Sequence, residues 1–140
     1  EKRRLVAALA SVDEPVPRPV PWLPAGAWWE LPPDANLSRS PGYRDGALFG
    51  MDAASGAAVL ALGVEPGHDV LDLCCAPGAK LVYLAELLQG RGRLVGVDVA
   101  EHRLAASRTL CGKYRVSDVA TLLAADGTSW RLRSWGLLER

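Results

Sequence analysis

Residues 70–80 read Val70-Leu71-Asp72-Leu73-Cys74-Cys75-Ala76-Pro77-Gly78-Ala79-Lys80. Val70–Leu73 is a short apolar run of strand length, and the Ala-Pro-Gly behind it is a turn signal. Leu81, Leu84, Ala85 and Leu88 then recur at i, i+3, i+4 and i+7, the spacing of a buried helix face. The stretch is therefore strand, tight turn, helix. Downstream, Gly90-Arg91-Gly92 breaks the helix, Leu94–Val97 is a second apolar strand ending on Asp98, and residues 101–115 form another helix. Leu104, Ser107, Cys111 and Tyr114 make its inner stripe, and Thr121–Ala124 is a third strand ending near Asp126. Upstream, Asp52 or Ser55 can cap a helix through residues 57–62 that Gly63 ends. Strands alternating with helices predict an α/β fold: a parallel, right-handed, Rossmann-like sheet. The near-continuous apolar strands are those of a sheet covered on both faces.

In such a sheet, ligands bind beyond the carboxyl ends of the strands. Three segments arrive there: Cys74–Lys80, Asp98 and Asp126. Gly78 lets the backbone approach a ligand, and the helix start behind it offers free N–H groups to an anion. Asp98 lies twenty residues after Gly78, where a carboxylate can accept both hydroxyls of a ribose. Asp126 follows the third strand, within reach of an adenine amino group. Each has a plainer alternative: Asp98 as a helix cap, Asp126 as a turn residue before Gly127, Lys80 as a solvated helix start, and the cysteines as small packed side chains.

The turn separates cofactor classes. A dinucleotide site takes three glycines as G-x-G-x-x-G, and a P-loop takes Gly-Lys-Ser/Thr; this turn has Gly78 alone, and Leu81 follows Lys80. One glycine with an acid twenty residues later suits a ligand with ribose and adenine but no pyrophosphate.

Leu71–Lys80 resembles motif I of the NOL1/NOP2/Sun family of RNA cytosine-C5 methyltransferases, close to D-x-C-A-A-P-G-G-K-T. Gly50-Met51-Asp52-Ala53-Ala54-Ser55 resembles the family's preceding motif, and Asp98 and Asp126-Gly127 match the acids of its second and third motifs. The resemblance covers about residues 42–130. It implies a class I methyltransferase domain that uses S-adenosylmethionine, with Cys74, Cys75, Ala76, Pro77, Gly78, Ala79, Lys80, Asp98, Arg103, Asp126 and Gly127 as cofactor-binding residues. RNA (tRNA or rRNA) is the partner it implies. Ala79 stands where the family has a second Gly, and Leu81 where it has Thr or Ser.

The family's catalytic loops carry Asp-x-Pro-Cys and Thr-Cys-Ser, and neither pattern occurs in this sequence. In that family a cysteine thiolate adds to C6 of cytosine, C5 takes the methyl group, and a base removes the C5 proton. Cys74 and Cys75 sit in the cofactor turn and Cys111 on a packing face, so no catalytic residue is assigned. The expectation is the N-terminal half of the methyltransferase domain, a sheet truncated after about three strands. One side of residues 70–73 would then be unpaired, so self-association, weak cofactor binding and no methyl transfer are expected.

Composition is compatible with this. The chain has 140 residues, 49% hydrophobic and 23% charged, with zero net charge. That excludes a mostly disordered chain and a strongly basic nucleic-acid module. No apolar run reaches the ~18 residues of a membrane span. Three cysteines without CxxC spacing predict no metal and an intracellular, reduced protein. Eight of the ten prolines lie between Pro15 and Pro41, among Trp22, Trp28 and Trp29. Residues 1–41 are thus read as a Pro/Trp-rich extension, with a short helix at 1–10 and an extended strap over 16–41, and residues 42–140 as the methyltransferase half. Two other readings carry weight: a non-catalytic RNA- or partner-binding module using the Trp/Pro strap, and an NAD-dependent oxidoreductase domain.

Overall fold

A computed structural model describes residues 17–24, 27–31 and 35–130. The helix expected at residues 1–10 lies outside them. The chain forms two compact units, Glu1–Gly50 and Met51–Arg140.

In the first unit, β1 (Arg18–Pro19) pairs antiparallel with β2 (Trp29–Glu30). Pro19 takes an edge position, as a residue without an N–H must. A single 3-10 turn, Leu37–Arg39, leads into α1 (Pro41–Arg44). Ser40 caps α1 by accepting from Tyr43 N at 3.2 Å, with Pro41 at the first helical position. The strap expected over residues 16–41 is therefore interrupted by a small hairpin and a 3-10 turn, and α1 begins where it ends.

In the second unit, the expected order is present: α2 (Ala53–Ala61), β3 (Asp69–Asp72), α3 (Ala79–Leu88), β4 (Arg93–Asp98), α4 (Glu101–Lys113) and β5 (Ala120–Ala124). Asp52 is the cap of α2, accepting from Ala54 N at 2.8 Å and Ser55 N at 3.2 Å. The sheet is parallel with order β3-β4-β5. At its amino end Arg93 pairs with Asp69 through both guanidinium nitrogens facing it. Helix α3 packs on α4 and on α2, and both α3 and α4 pack on β4.

The core lies at this junction: Leu81, Leu88, Leu94, Leu104, Val59, Val82, Val97 and Ser107 are fully buried. The inner stripe of α4 is as expected, with Leu104, Ser107, Cys111 and Tyr114 all buried. The expectation of apolar strands covered on both faces holds for β4 only. Residues Leu94–Asp98 are buried in sequence, whereas β3 and β5 are made of half-buried and exposed residues. Among the described residues, β3 and β5 each pair on one side alone, and Leu71 and Leu73 are exposed. No helix among the described residues is long and apolar enough to cross a membrane.

Candidate cofactor-binding turn

Strand β3 ends at Asp72 because its own side chain turns the chain: Asp72 Oδ1 accepts from Cys74 N at 3.1 Å. Cys75 N then donates to Val97 O at 2.9 Å, which ties the turn to the end of β4. Gly78 closes the turn as the N-cap of α3 with φ 112°, and no side chain caps that helix. The left-handed backbone favours glycine, and a Cβ there would lie 3.1 Å from Ser107 Cα, so α4 backs the turn. The first N–H groups of α3 are left for another partner.

Asp98 is 4% exposed and reaches into this turn. Its Oδ2 accepts from Ala76 N at 3.1 Å and its Oδ1 from Ala100 N at 3.0 Å. It does not cap α4, whose N-cap is Ala100 with no side-chain cap; it turns the chain ahead of that helix and links to the Cys74–Lys80 turn, twenty-two residues away. The bond from Ala100 does most to hold its carboxyl below the usual range. Burial opposes this, and the Ala76 bond and the charges of Arg103 and His102 add to the lowering. Arg103 donates to Ala76 O at 2.8 Å and lies 3.8 Å from Asp98 Oδ2.

The third segment meets the first two through backbone. Ala125 N donates to Asp98 O at 3.1 Å, and a Cβ on Gly127 would lie 2.9 Å from Leu73 O. Asp126 itself is exposed. Its Oδ1 accepts from Thr128 N at 2.9 Å and Thr128 Oγ1 at 2.7 Å, and these two bonds lower its pKa. Its carboxylate therefore organises its own turn and makes no bond to Asp98 or the Cys74–Lys80 turn. Lys80 and Pro77 are exposed and Ala79 is half-buried. Cys75 is buried, its thiol pushed up to about 11, chiefly by burial. Cys74 is exposed, not packed. Two concavities lie elsewhere in this unit, one lined by Arg108, Cys111, Ser117, Ala120 and Leu122, the other by residues around Gly92 and Arg115.

Sequence reasoning missed Asp72. Its Oδ2 is buried without a hydrogen-bond partner, and burial raises its pKa against the Cys74 bond and the charge of Lys80. A charged residue inside an apolar strand was the available signal. The buried, partnerless Ser107 hydroxyl behind Gly78 had no such signal. Among the described residues there is no cluster of metal-ligating side chains.

The donor set suits an amino-acid nucleoside. Uncapped N–H groups at α3 suit a carboxylate, an uncompensated Asp72 carboxylate suits a nearby cationic group, and Asp98 keeps further lone pairs for hydroxyls.

Residues 59–135 match a family described as 16S rRNA methyltransferase RsmB/F. The chain is 36% identical over 129 residues to the bovine (Bos taurus) 5-cytosine rRNA methyltransferase NSUN4, covering 83% of this chain and 33% of that protein. It is 40% identical over 87 residues to a mouse (Mus musculus) 28S rRNA (cytosine-C(5))-methyltransferase, covering 62% of this chain and 19% of the relative. Among solved structures, a methyltransferase homologue from Pyrococcus horikoshii superposes with a TM-score of 0.68 at 29% identity, over 79% of this chain and 36% of the other. The chain thus spans about a third of the bovine relative and about a fifth of the mouse one. These matches favour methyl transfer over the oxidoreductase alternative. The family match takes in the whole turn, Asp98 and Asp126 and more than half of the residues, and the chain belongs to the RsmB/F family of rRNA cytosine-C5 methyltransferases, the NOL1/NOP2/Sun enzymes.

Proposed function

We propose that this chain supplies the S-adenosylmethionine-binding part of an RNA cytosine-C5 methyltransferase, with ribosomal RNA as substrate. The observation that carries this reading is the buried Asp98 carboxylate bonded to the Cys74–Lys80 turn, directly beside the uncapped start of α3. S-adenosylmethionine, when bound, supplies a methyl group on a positively charged sulfur. The chain's own residues bind and orient it. The N–H groups at Gly78, Ala79 and Lys80 hold its carboxylate, and Cys74–Pro77 line the turn as backbone. Asp98 accepts from the ribose hydroxyls, and Asp126 and Gly127 border the adenine. Asp72 adds a negative charge where the cofactor is cationic.

The nucleophile of the reaction is not among this chain's thiols. Cys75 and Cys111 are buried, and burial raises the pKa of each, which disfavours the thiolate. Cys74 stands in the cofactor turn rather than facing a base. The 140 residues alone therefore bind cofactor weakly and transfer no methyl groups. The rRNA specificity rests on the activities of the bovine and mouse relatives.

The test has two arms. Calorimetry of the chain with S-adenosylhomocysteine and, separately, with NAD should give heat with the first only; heat with NAD alone overturns the reading. Tritiated methyl incorporation into unmodified rRNA should be absent for these 140 residues. Turnover would place a nucleophile among Cys74, Cys75 and Cys111.

A further inference from the structure

Both backbone polar groups of Ala76 are held by side chains from the next strand and helix. Its N–H donates to Asp98 Oδ2 at 3.1 Å, its carbonyl accepts from Arg103 Nη2 at 2.8 Å, and Arg103 Nη1 lies 3.8 Å from the same Asp98 oxygen. The three residues close a ring around the apex of the turn. Ala76 is 8% exposed, and the Asp98 side chain is 5% exposed. The site of Arg103 is not explained by its own helix. It lies in the first turn of α4 (Glu101–Lys113), where a cation opposes the helix dipole. A planar guanidinium can reach a carbonyl and a carboxylate at once, which an ammonium on a flexible stem does poorly.

We propose that Arg103 is a positioning residue, acting on the turn rather than on the ligand: with Asp98 it clamps Ala76 and sets the Cys74–Lys80 backbone in its binding shape before any cofactor arrives. The proposal rests on the cofactor reading for its functional meaning, but the clamp itself is a property of the ligand-free protein. Asp98 is shared between clamp and ribose, so ribose binding and turn order are coupled through one carboxylate. The α3 N–H groups, which begin three residues beyond Ala76, inherit that order.

The test is amide hydrogen exchange of the ligand-free chain, read at Ala76, in wild type, Arg103→Met and Arg103→Lys. Arg103→Met should speed Ala76 exchange by roughly tenfold or more, the effect of losing a charge-assisted bond. Arg103→Lys, which keeps the charge but not the fork, should fall between. Leu84 and Leu88 in α3 should exchange as in wild type, which separates a local release from unfolding. If Arg103→Met disturbs Leu84 and Leu88 as well, Arg103→Lys decides: Ala76 released ahead of those two supports the clamp, and all three moving together overturns it. S-adenosylhomocysteine affinity, measured on the same proteins, should fall in the same order as Ala76 protection. Unchanged Ala76 exchange with weakened ligand binding would overturn the proposal and make Arg103 a ligand contact. Unchanged exchange and unchanged binding would remove any role for it. Failure of wild type to bind S-adenosylhomocysteine, with Ala76 released as expected, would sink the cofactor reading and leave the clamp standing.

Discussion

Asp98→Asn changes the chemistry of one atom and almost no volume. The wild-type carboxylate accepts two backbone N–H groups, from Ala100 at 3.0 Å and Ala76 at 3.1 Å, at a side chain 5% exposed. A carboxamide can accept at one of these places only. At the other its NH2 faces an N–H, donor against donor. One charge-assisted bond is lost and one buried N–H is left unpaired, a loss of about 1.5–3 kcal/mol. Arg103 also loses its counter-charge at 3.8 Å, but its side chain is 50% exposed and solvent screens most of that term. The unfolding free energy should therefore fall by about 1.5–3 kcal/mol, against a total of ~5–15 kcal/mol for a domain. The assay is urea unfolding at pH 7, followed by far-UV circular dichroism, with equal slopes in the two proteins. A loss below about 0.5 kcal/mol, the scale of an ordinary surface change, would refute the claim that this carboxylate ties turn to strand.

Acid should expose the same link. The folded pKa of Asp98 is depressed, so its contribution is complete above the unfolded value near 3.8 and is lost as pH falls through the lower folded value. The urea midpoint of wild type should drop below pH ~4 more steeply than that of Asp98→Asn; parallel curves would contradict the assignment. Asp72 has the opposite sign, because its pKa is raised in the fold and its ionised form is disfavoured there. Asp72→Asn keeps an acceptor for Cys74 N, so stability at pH 7 should hold or rise while the sulfonium cofactor S-adenosylmethionine binds roughly tenfold more weakly; lower stability with unchanged affinity would sink the idea. Gly96→Ala should destabilise by about 1–3 kcal/mol in the same urea assay, since the new methyl would sit 2.8 Å from Leu81 Cδ1 and 2.9 Å from both Cys75 Sγ and Leu122 Cδ2. Iodoacetamide at pH 7.5, with peptides mapped by mass spectrometry, should label exposed Cys74 first and leave Cys75 and Cys111 intact; early labelling of Cys75 would show a turn more open than described.

The second unit was legible because its elements carry strong local signals. Leu81, Leu84, Ala85 and Leu88 repeat at helical spacing, and glycines or acids stand where each strand stops. The spacing of Gly78, Asp98 and Asp126 located the carboxyl edge correctly, since a parallel sheet leaves its strand ends no other place to go. What spacing could not give was the use of each carboxylate. Asp98 and Asp126 follow equivalent strands, yet one is buried across two segments and the other is exposed and bonded within its own turn. That difference depends on which backbone N–H happens to lie opposite, a tertiary fact. Asp72 was passed over because an acid in a strand reads as an exposed face, and its buried oxygen became visible only with the turn folded around it. In the first unit, alternating prolines excluded a regular helix up to Pro21, but the pairing of Pro19 with Trp29 has no signature in either segment alone.

Backbone amide chemical shifts of the 140-residue chain, followed while S-adenosylhomocysteine is added, test the central claim most directly. Shifts should gather at Cys74–Lys80, except Pro77 which has no amide, and at Asp98–Ala100 and Ala125–Gly127, and they should be lost in Asp98→Asn. Shifts centred instead on the concavity of Arg108, Cys111 and Ser117, or none at the Cys74–Lys80 turn at saturating ligand, would contradict it.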